Sequence, residues 1–267
     1  NEIMPDNKTI ISWVGKYIDI DKLQITRIAK YAHNSLVAQQ WKINRVILAG
    51  DAAHMMPPSA GQGLCSGVRD AVNLAWKLDR VINNQASEKL LSTYEQERKQ
   101  HLYQILKRSL FFGKTLNADN YFERLLRSVK IRLIQNIQPL KMYLRNKYNT
   151  PPKLENGILS SQSSLAGQHL PQIIIDIDNK LSDDIVGYKF VCIALSNTLT
   201  SLQVNKLKQK SILLFQDIIE VKQTPFQDWL KSNHIDFVIA RPDKIIFGAG
   251  KSEQFDSILQ ELEIFQN

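Results

Sequence analysis

The residues of this chain whose types and spacing could do chemistry lie between positions 45 and 79. A short apolar run at 46–49, long enough for a buried strand and too short for a helix, leads into Gly50 and Asp51. Residues 50–63 hold two prolines, Pro57 and Pro58, and three glycines, so that segment is irregular. From Leu64 the apolar positions Leu64, Val68, Ala71, Leu74, Ala75, Leu78, Val81 and Ile82 recur at helical spacing. The stretch reads as a strand, a Gly/Pro loop and a helix that begins close to Gly63. A helix start presents backbone N–H groups without partners and partial positive charge, which favours an anion or an electron-rich oxygen. Gly61 and Gly63 lack Cβ atoms, so a flat ligand can approach the backbone there. Pro57 and Pro58 stiffen that approach. The Asp51 carboxylate, at the end of the strand, can accept hydrogen bonds from sugar-type hydroxyls and would repel a phosphate. The same composition also suits a plain glycine-rich turn in which Asp51 is only a cap.

The order of residues carries more than the composition. Gly50-Asp51-Ala52-Ala53-His54, Pro57-Pro58, Gly61-Gln62-Gly63 and Asp70-Ala71-x-Asn73-Leu74-Ala75-Trp76-Lys77-Leu78 follow one another, with Leu91-x-x-Tyr94-Glu95-x-Glu97-Arg98 after them. Together they resemble the second flavin-binding motif of the FAD-dependent aromatic hydroxylases, in the branch of 3-(3-hydroxyphenyl)propionate hydroxylase and the phenol-hydroxylase-like enzymes. The resemblance implies that Asp51 hydrogen-bonds the ribityl chain of FAD. It implies that the backbone amides of Leu64 and Cys65 face the pyrimidine edge of the isoalloxazine ring. Ala49, Gly50, Pro58, Gly61, Gln62 and Gly63 complete the expected cofactor-contact set. It further implies NADH or NADPH as co-substrate, O₂ as oxidant and a small phenolic aromatic substrate. Many members carry Asn where this chain has Cys65, a change that a backbone contact tolerates and a side-chain role does not. No acid or base is assigned; His33, Pro57 and Pro58 are the candidates to line a substrate pocket, beside Tyr31 and Asn34. His54 is expected to make a structural hydrogen bond, and Arg45 to be a solvated or capping charge.

The elements around this stretch must position it. Residues 9–14 read as strand or helix end, 17–23 as turn or short helix, and 23–38 alternate well enough for one or two strands. Residues 87–113 are helical, with Leu90, Leu91, Tyr94, His101, Ile105 and Leu106 near one face. The pairs Glu95/Lys99 and Glu97/His101 stand four apart along that helix. Residues 121–148 read as a helical pair broken at Pro139. Twelve of the 34 Lys/Arg and two of the 26 Asp/Glu lie in 98–148, leaving 22 basic and 24 acidic residues elsewhere, so the net charge of +8 is local. Basic residues spread along helices without a nucleic-acid motif are expected to form a solvated face, not a nucleic-acid surface.

After Thr150-Pro151-Pro152 the pattern changes to short apolar runs, at 173–177, 190–195, 211–215, 237–240 and 245–249. Helical stretches at 201–210, 226–233 and 252–265 separate them, as in a small α/β layer domain. Ala166-Gly167-Gln168-His169-Leu170-Pro171-Gln172, the run 181–185 with Gly187, and Ala240-Arg241-Pro242-Asp243 resemble the family's thioredoxin-like C-terminal domain. That resemblance implies packing and homo-oligomer formation. Thiol–disulfide exchange is not expected, because Cys65 and Cys192 form no C-x-x-C pair.

The expected class is therefore α/β: the C-terminal portion of an FAD/NAD(P)-binding flavin hydroxylase fold followed by a thioredoxin-like α/β domain. Its expected parts are the end of a substrate-binding sheet region (1–40), the second FAD motif with following helices (41–110), a basic helical connector (111–152) and the C-terminal domain (153–267). No metal site, no membrane span and no secretory leader are expected, and two distant cysteines suit a reducing cytoplasm. No G-x-G-x-x-G turn occurs in residues 1–267, so the expectation is an incomplete C-terminal part of an FAD-dependent monooxygenase, inactive alone. The competing expectations are a truncated, non-catalytic association module, or a related flavin monooxygenase acting on polyketides or antibiotics.

Overall fold

A computed structural model describes residues 6–22, 24–29, 33–116, 120–175, 180–217 and 225–263. The chain forms two compact units, Asn1–Asn34 and Ser35–Asn267. In the first, α1 (Asn7–Val14) is capped by Asp6, whose carboxylate accepts from the Thr9 N–H at 2.9 Å, and a 3-10 turn follows at Ile20–Lys22. Residues 24–29 are irregular, so the strands expected within 23–38 are not formed there. Among the described residues of that run, strand forms at β1 (Leu36–Val37), where His54–Met55 takes up its backbone groups. An extended run needs such a neighbour for its N–H and C=O groups. Tyr31 lies outside the described residues.

In the second unit β2 (Lys42–Ile43) and β3 (Val46–Ile47) form a small hairpin around Asn44, which takes the left-handed conformation (φ 51°). A 3-10 turn (Gly50–Ala52), β4 (His54–Met55) and a second 3-10 turn (Pro58–Ala60) lead into α2 (Gly63–Ile82). The next helix, α3 (Lys89–Leu116), runs unbroken across the boundary expected at 110. Trp41, Ala53, Tyr94 and Leu102 form a buried cluster beneath the turns. α4 (Tyr121–Asn136) and α5 (Gln138–Asn149) form the pair expected there, but the break falls at Ile137. Pro139 lies in the first turn of α5, where its missing N–H leaves no bond unmade.

The C-terminal portion carries α6 (Ser182–Val186), β5 (Val191–Ala194), α7 (Ser201–Gln209), β6 (Leu213–Leu214), α8 (Pro225–Ser232), β7 (Phe237–Ala240), β8 (Ile246–Gly250) and α9 (Phe255–Glu263). Its sheet order is β6-β5-β7-β8, with β5/β6 parallel and the other pairs antiparallel. Cys192, Ala194, Phe237 and Ile239 face one buried cluster, and Val191, Ile193, Val238 and Ala240 face another. The two-residue period thus serves a sheet covered on both faces. The first of those clusters also takes Trp76 from α2 and Leu90 from α3, so the sheet and the loop-bearing helices share one core. The run expected as a strand at 173–177 makes an isolated bridge between Ile174 and Leu181, and its last two residues lie outside the described ones.

Candidate functional site

The site is built on the connection from β3 to α2. Leu48 is fixed at both backbone groups: its N–H donates to the Trp41 carbonyl at 2.8 Å, and its carbonyl accepts from the Tyr94 hydroxyl at 3.0 Å. The chain then turns at Gly50 (φ 58°), a conformation that glycine takes without penalty. A Cβ there would stand 3.9 Å from the Cα of Gly67 on α2. This turn carries Asp51 to the surface, where its carboxylate has no partner among the described residues. Beyond β4, Pro57 is extended, Pro58 opens the second 3-10 turn, and Gly61 (φ 60°) closes it with its N–H on the Pro58 carbonyl at 2.9 Å.

α2 then starts without a cap. The side chain of Gln62 makes no capping bond, and the first amide to find a carbonyl is that of Ser66, on Gln62 at 2.9 Å. The N–H groups of Gly63, Leu64 and Cys65 are left pointing out of a 20-residue helix. A Cβ added at Gly61 or Gly63 would meet nothing within 4 Å, Leu64 is 82% exposed, and Cys65 is exposed. The protein thus offers open space in front of uncapped amides, with a partnerless carboxylate on the adjoining turn. That donor set fits a flat ligand with an electron-rich edge and a hydroxylated tail.

Asp70, buried on α2, holds the turn from behind. Its Oδ2 accepts from the Gly50 N–H at 3.2 Å and meets His54 Nε2 at 2.6 Å, while Oδ1 accepts from Arg98 Nε at 2.8 Å. Burial alone would raise this carboxyl, but the His54 hydrogen bond and the Arg98 charge outweigh it and hold it below its usual range. Arg98 passes the chain on to His101 Nδ1 at 2.9 Å, and His101 Nε2 donates to the Pro152 carbonyl at 2.9 Å. An acceptor Nδ1 and a donor Nε2 define a neutral imidazole. Burial, and then the Arg98 charge, push its pKa down to about 3.

Residues 16–109 match the family described as FAD binding domain. A 3-(3-hydroxy-phenyl)propionate/3-hydroxycinnamic acid hydroxylase of Klebsiella pneumoniae is 30% identical over 257 residues, which cover 85% of this chain and 46% of that protein. The enzyme so named in Escherichia coli O157:H7 is 30% identical over 271 residues, covering 91% and 49%. The chain carries, over residues 16–109, the domain described as FAD binding domain, and it is similar to these hydroxylases. It spans about half the length of the curated relatives it matches. Two solved structures share its fold. The flavin-dependent monooxygenase PieE, in complex with FAD and substrate, has TM-score 0.71 at 16% identity and covers 100% of this chain and 55% of its own. OxyS anhydrotetracycline hydroxylase from Streptomyces rimosus has TM-score 0.68 at 24% identity and covers 87% and 47%.

The expected residues Ala49, Gly50, Asp51, Pro58, Gly61, Gln62, Gly63, Leu64 and Cys65 lie along the connection from β3 into the first turn of α2, on both sides of β4. Pro57 adjoins them, its carbonyl accepting from Ser109 Oγ of α3 at 3.0 Å. His33 and Asn34 belong to the other compact unit. His54 makes the structural hydrogen bond expected of it, and Arg45 is exposed. Glu95 and Lys99 meet along α3 at 3.0 Å, but Glu97 does not pair with His101. It points instead to the C-terminal portion, where Arg241 grips it with two nitrogens at 2.9 and 2.8 Å. Lys77 Nζ (2.9 Å), Asn73 Nδ2 (2.7 Å) and the Ile158 N–H (2.9 Å) complete the shell of Glu97, and Asp243 takes the other edge of Arg241 at 2.6 Å. Burial disfavours the Glu97 charge, yet Arg241 and Lys77 overcome that and keep its pKa depressed. Burial, partly offset by Glu97, draws Lys77 down to about 8.

This network was not foreseen as a unit. Its signal was present in the positions: Leu90, Tyr94, Glu97 and His101 share one face of α3, so Glu97 occupies an apolar-face position. No cluster of His, Cys, Asp and Glu that could hold a metal occurs among the described residues. No described helix is long and apolar enough to cross a membrane.

Proposed function

We propose that this chain supplies the isoalloxazine-facing portion of an FAD-dependent monooxygenase that hydroxylates a phenolic ring, with NADH or NADPH as reductant. The observation that carries this reading is the uncapped start of α2 at Gly63, open above Gly61 and Gly63 and flanked by the partnerless Asp51. Asp51 would accept hydrogen bonds from the ribityl hydroxyls. The Leu64 and Cys65 amides would hold negative charge at the pyrimidine edge, aided by the helix dipole. When bound, FAD supplies the redox and oxygen-transfer chemistry. The loop from Pro57 to Gly63 sets the ring's place and keeps water from that edge. The Cys65 side chain takes no part, since its amide serves equally well. The relatives named for hydroxyphenylpropionate and hydroxycinnamic acid favour a single-ring phenol over a polycyclic substrate.

Residues from 153 onward are read as a thioredoxin-like domain without redox function that associates copies of the protein. The mixed four-stranded sheet supports this, as does the seclusion of Cys192, whose thiol burial pushes well above its usual range. A reducing cytoplasm suits the two free thiols. The deciding experiment is the visible absorption spectrum of the purified chain after incubation with FAD and desalting. Retained flavin bands that Asp51→Ala abolishes are expected; a folded but colourless protein would show that these residues do not suffice to hold the ring.

A further inference from the structure

α4 is an amphipathic helix turned the wrong way round for a core. Phe122, Leu125, Leu126, Val129 and Leu133 stand at the spacing that gathers side chains on one helix face. A face of that kind is ordinarily buried, yet these five residues are between 43% and 66% exposed. No residue of α4 is buried. The helix packs on α5, and its two less exposed residues, Arg127 and Ile134, lie on the opposite side from the apolar stripe. The stripe itself therefore faces outward. The charge around it has one sign. Residues 120–149 hold seven Lys/Arg against one acidic residue, Glu123. At 100° per residue, Arg132 borders the stripe on one side and Lys130 on the other. Both are exposed, as are Lys141 and Arg145 of α5, and none of the four meets a carboxylate among the described residues.

Charge decides what can cover such a face. A second copy in a two-fold contact would set these cations against their own kind. An anionic bilayer answers both halves of the pattern: its hydrocarbon boundary takes the apolar stripe and its headgroups take the bordering cations. At 16 residues, or about 24 Å, α4 is too short and too charged to cross a membrane, so it would lie in the plane of the surface. Tyr121 and Phe122 add aromatic rings of the kind favoured at that level. We propose that the apolar stripe of α4, bordered by Lys130 and Arg132, seats this protein on an anionic lipid surface. The inference does not rest on the flavin reading, because the surface lies outside the helix-start site and its binding is measured without FAD.

The test is co-sedimentation of the full chain with vesicles of phosphatidylcholine alone or of phosphatidylcholine with phosphatidylglycerol. Binding to the anionic vesicles should be about tenfold or more tighter than to the neutral ones, and should weaken as salt rises. Lys130→Gln with Arg132→Gln should weaken it about tenfold or more, at roughly fivefold per charge. The same loss of two charges at exposed Lys189 and Lys208 should leave it nearly unchanged. Phe122→Ser with Val129→Ser should also release the chain, and these exposed positions can change without loss of fold, as circular dichroism would check. No binding of the unmodified chain to anionic vesicles overturns the proposal. So does binding that the serine pair leaves unchanged, or that either pair of lost charges weakens equally, since a basic chain would then be adsorbing without using this face. A chain that ignores vesicles but forms a dimer in sedimentation, dissolved by the serine pair, would assign the stripe to a second copy and likewise overturn it.

Discussion

Single residues divide into those that face outward to a ligand and those that hold them there. Asp51 is of the first kind, and Asp51→Ala should weaken FAD retention about tenfold or more while leaving the unfolding midpoint in urea unchanged, since the carboxylate has no partner to lose. Cys65 and Cys192 differ in the same way. A thiol reagent should modify exposed Cys65 quickly and buried Cys192 only on unfolding, and added FAD should slow the first reaction. Equal reaction rates at Cys65 with and without FAD would count against a ligand at the helix start. His101 is of the second kind and gives a pH dependence with a definite sign. Its pKa is about 3 in the folded chain against an ordinary 6.5, so between those values the unfolded chain binds the extra proton. Stability should therefore fall as pH drops from 6.5 toward 3, by up to about 1.4 kcal/mol per pH unit from this group. Urea midpoints at stepped pH would measure the slope, and His101→Gln should flatten it. An unchanged slope would mean that other groups carry it.

At the scale of elements, the loop is positioned by helices through buried charges. Asp70 ties the Gly50 amide, His54 and Arg98 together, so α2 and α3 hold the turn that presents Asp51. Asp70→Asn keeps the shape but cannot accept from all three donors. It should weaken FAD binding along with Asp51→Ala while leaving far-ultraviolet circular dichroism intact; wild-type flavin retention in Asp70→Asn would show that the turn holds itself. Glu97 ties the same two helices to the strand-end residue Arg241. Glu97→Ala leaves Arg241 and Lys77 buried beside one another without their shared carboxylate, which should cost about 3–5 kcal/mol. Denaturant titration measures it, and a loss under about 1 kcal/mol would mean that water or Asp243 compensates.

At the scale of the whole molecule, residues 35–267 behave as one compact unit, because Trp76 and Leu90 sit in the same core as Phe190, Phe237 and Phe255. Unfolding followed by tryptophan fluorescence and by circular dichroism should give coincident transitions, and two separated ones would mean that the sheet and the loop-bearing helices melt independently. Much of this was legible in the sequence. The helical period from Leu64 located α2, the glycines and prolines located its irregular approach, and short continuous apolar runs located β5 and β7, because these signals are local and set by backbone geometry. The motif order from Gly50 through Gly63, with the runs at 70–78 and 91–98, also pointed to FAD binding, as the matching domain over residues 16–109 bears out. Other features depended on partners distant in sequence. Residues 24–29 of the alternating run stayed irregular because strand formation needs a neighbour. Glu97 turned to Arg241, 144 positions away, because a buried guanidinium with two parallel bonds outweighs a histidine one turn along the same helix. The gathering of Arg69, Arg108, Phe112 and Tyr148 around one cavity was likewise decided by the packing of α2, α3 and α5. Local periodicity names the elements of this protein; the partners of its buried charges, and the cavity beside the loop, exist only once those elements are packed.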